Sequence, residues 1–377
     1  MYRKSLVLLL TFLLIAACQP AYRQPVFDHA AIPTATPIPM PANPPRVAAT
    51  IASRIQSFSV SPDLKAIALA TPHGVILYSL LPAPELHAGT YLRTLNDTEN
   101  VFSVAWSPDG SKLAAGGALD TGIPFYTGGD SSNSAKAHLT VWDTPTWEVL
   151  FEPAFDRDMV NEIFHDIAWS PDNRSLAAST DLEGVFVFDT QTGQVISRQT
   201  GFASSVVDLS WSPDGSRLVS TSDISYSIRR WRVSDNQAVR LFDPRVSNPM
   251  QVAWSPDGKR IASGHAFGGV CFWTAATNKC DGFIRAHQTA TFSLAWSPDG
   301  NKLATGGGVI RIWDTHTGKL LTAFGEEDGY TYDRLEWPAL DQPLISLQTS
   351  IEDRGETVVR FWDMSTGSIL LEFQGQK

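Results

Sequence analysis

A chain of 377 residues, 43% of them hydrophobic, is long enough for one large domain or two ordinary ones and can bury a sizeable core. Its net charge of −10, with no basic stripe, excludes the electrostatic footprint of a nucleic-acid binder. Three cysteines are too few for a disulfide scaffold, whereas twelve tryptophans recur in a pattern.

The first element in chain order is a targeting segment rather than structure. Arg3 and Lys4 make a positive start, and residues 5–14 are an apolar run short for a bilayer span. Ile15-Ala16-Ala17-Cys18 follows, and small residues before a cysteine at this place resemble the lipobox of bacterial lipoprotein precursors. Ile15 departs from the commoner Leu. The resemblance implies lipidation of the Cys18 thiol, cleavage before it and acylation of the new amino terminus, and two or more acyl chains hold a protein stably to a membrane. Residues 1–17 are thus expected to be a signal peptide, and the mature chain to be extracytoplasmic and anchored to a bacterial membrane. Residues 18–45 are expected to form the lipidated cysteine and a tether. Eight prolines fall in 19–45, which favours extended polyproline II at roughly 3.1 Å per residue and a spacer of up to about 80 Å.

Residues 46–377 carry a repeat array. Trp106, Trp169, Trp211, Trp254, Trp296 and Trp337 recur at intervals of 63, 42, 43, 42 and 41. Five of them open a Trp-Ser-Pro-Asp run; Val60 precedes an earlier Ser61-Pro62-Asp63, and Trp337-Pro338 begins a degenerate last copy. Seven units result, each reading as four short strands. An alternating strand such as Phe102-Ser103-Val104-Ala105-Trp106 leads into a tight Ser-Pro-Asp-Gly turn. A small, apolar strand such as Leu113-Ala114-Ala115-Gly116-Gly117 follows, then an aromatic strand such as Ile312-Trp313-Asp314, a second turn and a closing strand.

Trp313-Asp314, Trp362-Asp363 and the Trp-Ser-Pro-Asp-Gly turns resemble the WD-repeat (β-transducin repeat) family over about 320 residues. The resemblance implies an all-β fold, a seven-bladed β-propeller of four-stranded antiparallel blades. It also implies that the loops joining strands two to three and four to one share one face, the usual partner-binding side. The family's hydrogen-bonded tetrad of His and Asp is largely absent: only His287 stands near such a position, and Gly307-Gly308 replaces the Asp of its unit. Two segments compete for the closing edge of the ring. Residues 366–373 keep the turn and the Leu-x-x-Phe spacing and are favoured over residues 47–51.

No catalytic, phosphate-binding or metal-binding motif accompanies the repeats, so neither an enzyme nor a cofactor or metal site is expected. Cys271 and Cys280 fall diagonally on one hairpin, near the limit for a disulfide, and either a bond or two buried thiols fits the pattern. The two long insertions, 118–137 and 153–165, lie in loops of the partner-binding face and belong to adjacent blades. They carry Phe125, Tyr126, Phe155, Asp156, Asp158, Glu162 and Phe164; Tyr330 and Tyr332 add aromatics across the ring. Aromatic side chains beside carboxylates suit a basic or polar protein surface. The expectation is a monomeric, lipid-anchored scaffold that recognises a protein or ligand through these loops and is joined to the membrane by its lipid. The alternatives are a propeller hydrolase or lyase acting at the central channel, and a lipoprotein of envelope assembly.

Overall fold

The computed structural model describes residues 47–81, 87–96, 99–119, 136–153, 162–181, 183–202, 205–222, 227–243, 248–325, 329–352 and 355–376. Seven antiparallel sheets, each built from four strands consecutive in sequence, form the blades of a propeller. The blades span residues 57–95, 99–151, 164–199, 206–241, 249–285, 293–324 and 330–375. The first strands of neighbouring blades approach one another around the axis, so they line the central channel. The fourth strands form the rim, where apolar side chains such as Val149 and Ile196 reach solvent.

The repeat sequence explains how blades stack. A strand's side chains alternate between its two faces, and every second strand uses both faces. In blade one, Ile67 and Leu69 pack toward blade seven while Ala68 and Ala70 pack toward blade two. Leu113 and Ala115 of blade two pack back toward blade one, and Ala114 packs toward blade three. The pattern continues through the remaining interfaces and produces seven apolar cores, one between each adjacent pair of blades. The tryptophan ending the first strand fastens the stack. The indole N–H of Trp169 donates to the Ala105 carbonyl at 3.0 Å, Trp211 to Ala168 at 2.9 Å, and Trp296 to Ala253 at 3.1 Å.

The Ser-Pro-Asp-Gly turns are self-capped. In six copies the serine hydroxyl donates to the aspartate carboxylate at 2.6–2.7 Å. That carboxylate accepts the N–H two residues further on, as Asp214 does from Ser216 at 3.0 Å. The turn needs one residue in the left-handed region, which Gly215 supplies at φ 68° and Leu64 supplies against its preference at φ 57° in the first copy.

Both candidate segments take part in closing the ring. Ile369–Gly375 is the fourth strand of blade seven, in keeping with its turn chemistry: Asp363 caps Ser365 and Gly367 adopts φ 71°. Val47–Ile51 does not replace it but pairs outside it, parallel, with Val47 opposite Glu372 and Ile51 opposite Gly375. Blade seven therefore has five strands. The Ile55 N–H donates to Thr357 Oγ1 at 2.8 Å across the junction, and Phe58, Leu69, Leu347 and Phe373 share the core there.

Parts of the tetrad survive. In blade six the Trp313 indole donates to Thr305 Oγ1 at 3.0 Å, and His287 Nε2 lies 2.9 Å from the same hydroxyl. A Cβ at Gly307 would fall 2.4 Å from His287 Nδ1, so the imidazole fills the place an acidic side chain would need. Burial, with Arg311 nearby, pushes His287 down to about 3, which keeps it neutral. The Trp–hydroxyl half recurs as Trp273 with Ser263 and Trp362 with Ser346.

Candidate functional site

The first strand of each blade has no strand partner on its channel side, which leaves main-chain N–H groups in need of acceptors. Polar side chains occupy one recurring position, three residues before the tryptophan, and four of them supply such acceptors. The position holds Ser103, Asp166, Asp208, Gln251, Ser293 and Arg334, with Ser57 at the same place before Val60. Ser103 Oγ accepts the Ile167 N–H at 3.3 Å, Asp166 Oδ2 accepts Leu209 at 3.1 Å, and Asp208 Oδ2 accepts Val252 at 2.7 Å. Gln251 serves Leu294 in the same way. Two residues further along, Ser59 and Ser210 accept the N–H of Trp106 and Trp254 at 3.1 and 3.0 Å.

The residues just before this ring form a second one. Together they line a cavity of about 160 Å³ at the channel mouth. Phe102, Val207, Met250 and Phe292 stand there with Gln56, His165 and Asp333, beside Ser57, Asp166, Asp208, Gln251 and Arg334 of the first ring. Because first strands start on the side of the second-to-third and fourth-to-first loops, the mouth opens on that face. Arg334 lies between two acids, 3.7 Å from Asp166 Oδ1 and 3.7 Å from Glu336 Oε1. Burial raises the Asp166 carboxyl, against the pull of Arg334. Burial and the charge of Asp166 raise Asp208 well above the usual carboxylate range. Burial raises Glu336 to about 7, again opposed by Arg334. At the rim, His165 pairs with Asp181, which also accepts the Ser205 hydroxyl at 2.8 Å.

Segments 89–123, 193–232 and 278–314 match the family model described as WD domain, G-beta repeat. Each match starts at the end of one blade and runs into the next, in step with the seven sheets. The chain is a seven-bladed β-propeller, and these segments are similar to WD40 repeats. No curated protein matches it. WD40 propellers are generally non-catalytic scaffolds that bind proteins.

The residues expected on the loop face meet different fates. Phe125, Tyr126, Phe155, Asp156, Asp158 and the lipobox Cys18 lie outside the described residues. Glu162, Phe164 and Tyr332 are buried, which corrects their reading as exposed partner contacts. The reason is room made by glycine: a Cβ at Gly116 would meet Phe164 Cβ at 3.1 Å, and one at Gly306 would meet Tyr332 Cβ at 2.7 Å. Each aromatic drops into the gap left on the preceding blade. Tyr330 is half-buried with the Arg360 guanidinium 5.4 Å from its ring. The sulfurs of Cys271 and Cys280 face each other across their hairpin, with Cα atoms 5.9 Å apart. No group of metal-ligating side chains occurs among the described residues.

Two features of the face escaped the sequence reading. Phe242 and Phe267 are 64% and 54% exposed, on neighbouring blades, and Ile351 is exposed across the ring. Phe242 follows directly on a fourth strand and Phe267 sits at a loop tip, so neither has a place in the repeat, and that was the available signal. The channel acids had a signal too: counting back three residues from each tryptophan lines them up.

Proposed function

We propose that this propeller is a lipid-anchored extracytoplasmic scaffold that holds a protein partner on its loop face. The observation that supports the reading is the coincidence on one face of exposed Phe242 and Phe267 with the mouth of an acidic cavity. Exposed aromatics are favoured anchors of interface centres, and carboxylates beside them select a basic surface. Anchoring through Cys18 rests on the sequence; among the described residues no helix is long and apolar enough to cross a membrane. The double variant Phe242→Ser/Phe267→Ser should fold normally and lose partners that the wild-type protein captures from membranes. Retention of the full wild-type set would overturn the docking face. Cys18→Ala should abolish fatty-acid labelling, and label kept by that variant would overturn the anchor.

A catalytic reading has one observation in its favour. Asp166 and Asp208 lie within each other's field with both carboxyls raised by burial, an environment that suits a general acid. Each already accepts a main-chain N–H of the next blade, which accounts for its presence without chemistry.

A further inference from the structure

The channel mouth has a size, an acidic lining and an unmet hydrogen bond that together describe an occupant. Its volume is about 160 Å³. That falls below the roughly 300–1,000 Å³ of small-molecule sites and suits one long side chain rather than a whole small molecule. Phe102, Val207, Met250 and Phe292 are all half-buried and offer a wall for methylenes beside Gln56, His165 and Asp333. The lining is acidic, with Asp166, Asp208 and Asp333 against Arg334 as its one Lys or Arg. That guanidinium is already shared between Asp166 and Glu336, so an incoming anion would meet carboxylates on both sides of it.

The unmet bond is that of Ser57. Its side chain lines the cavity, the residue is only 3% exposed, and its hydroxyl has no hydrogen-bond partner. The equivalent hydroxyls of blades two and six are engaged, Ser103 with Asp166 at 3.2 Å and Ser293 with the Tyr332 carbonyl at 2.6 Å. A buried polar atom left unsatisfied is uncommon and calls for a partner. A donor entering from the mouth would reach it.

We infer that the mouth is a pocket for one cationic side chain of a partner protein, an ammonium or guanidinium on an apolar stem. The inference rests on the docking face proposed above and names the chemistry recognised at its centre. Charged hydrogen bonds to carboxylates in a half-enclosed site are roughly twice as strong as neutral ones, so the pocket selects charge as well as shape.

The test uses the propeller with small probes and no partner. The methionine methyl of Met250 reports from the wall when labelled with carbon-13. n-Butylammonium and n-butylguanidinium should shift its resonance saturably, with half-saturation on the order of 1 mM. n-Pentanol and butyrate, of similar stem, should bind at least about tenfold more weakly. Asp208→Asn keeps an acceptor for the Val252 N–H while removing the carboxyl that a bound cation would ionise, and should weaken both cations about tenfold. Ser57→Ala disturbs no bond of the fold and should weaken them about threefold. Cations that fail to saturate the wild-type signal, or that bind no better than n-pentanol, overturn the pocket. So does undiminished binding to a folded Asp208→Asn; should that variant not fold, undiminished binding to Ser57→Ala decides the same point. The two readings separate cleanly: lost probe binding with partner capture intact removes the pocket alone, whereas probe binding retained in Phe242→Ser/Phe267→Ser with all partners kept removes the docking face alone.

Discussion

Arg360 offers a quantitative test of how the last blade is held. Its side chain and that of Glu372 are 10% and 4% exposed, and Arg360 Nε donates to Glu372 Oε2 at 3.2 Å. Arg360 Nη1 donates to Gln348 Oε1 at 2.9 Å, and Gln374 Nε2 donates to Glu372 Oε1 at 2.6 Å. The network thus ties strands two, three and four of blade seven. Arg360→Met retains much of the stem but leaves a buried carboxylate without its cation and a buried amide oxygen without a donor. Removing one member of a buried pair costs about 3–5 kcal/mol. At about 2 °C per kcal/mol for a domain of this size, the melting midpoint should fall by about 6–10 °C. Adding Glu372→Gln removes the stranded charge and should recover about half of the loss, about 2 kcal/mol. Thermal unfolding followed by tryptophan fluorescence and by circular dichroism provides the readout. A single variant within about 1 kcal/mol of wild type, or a double variant no more stable than the single, would refute the desolvated-pair account.

Three further expectations follow from the site and the turns. Glu336 is raised above its ordinary value, so its contribution to stability is full below 4.5 and disappears as pH rises through about 7. Glu336→Gln, which keeps an acceptor for the Val60 N–H beside Arg334 and Asp166, should be more stable than wild type at alkaline pH and flatten this limb of the melting curve; an unchanged limb would contradict the assignment. Asp172, Asp214, Asp257 and Asp299 are held below their ordinary value, first by the serine hydroxyl two residues earlier, so their contribution is present above 3.8 and lost as pH falls through their folded values. Asp214→Ala should cost about 1 kcal/mol at neutral pH and lessen the acid-induced loss, as a pH series of melting midpoints would reveal. Finally, protein recovered from an oxidising compartment should resist alkylation at Cys271 and Cys280 until reduced, with reduction costing about 2–3 kcal/mol for a loop of this length; ready alkylation without reductant would count against the bond.

The repeat made the architecture legible because each signal had one physical meaning. Trp-Ser-Pro-Asp-Gly combines an interblade anchor with a self-capped turn, and Leu-Ala pairs mark a strand buried on both faces. What the repeat period concealed was the pairing of blades through space. Phe164 and Tyr332 read as loop aromatics because they stand beside insertions and acidic runs, yet the position five residues before the tryptophan is buried in every blade, from Ile55 and Val101 to Phe164 and Tyr332. The glycines that admit them sit about 50 and 25 residues earlier, a relation no local window contains. The channel acids stayed hidden for a different reason. A polar residue on an alternating strand ordinarily marks the solvent side, and only closure of the ring brings seven such positions onto one axis.

The short strand Val47–Ile51 changes the connectivity of the ring. Six of the seven junctions between blades are bridged by the polypeptide itself, which leaves a fourth strand and enters the next first strand. The junction between blades seven and one has no such bridge, since these blades are the first and the last of the seven in sequence. Pairing Val47–Ile51 with the last strand restores it: the five residues 52–56 then step from blade seven into blade one as the ordinary connections do. The disc thereby becomes a continuous loop of chain fastened by a clasp, its four rungs running from Val47 to Ile51. The strand that carries the clasp lies outside every repeat.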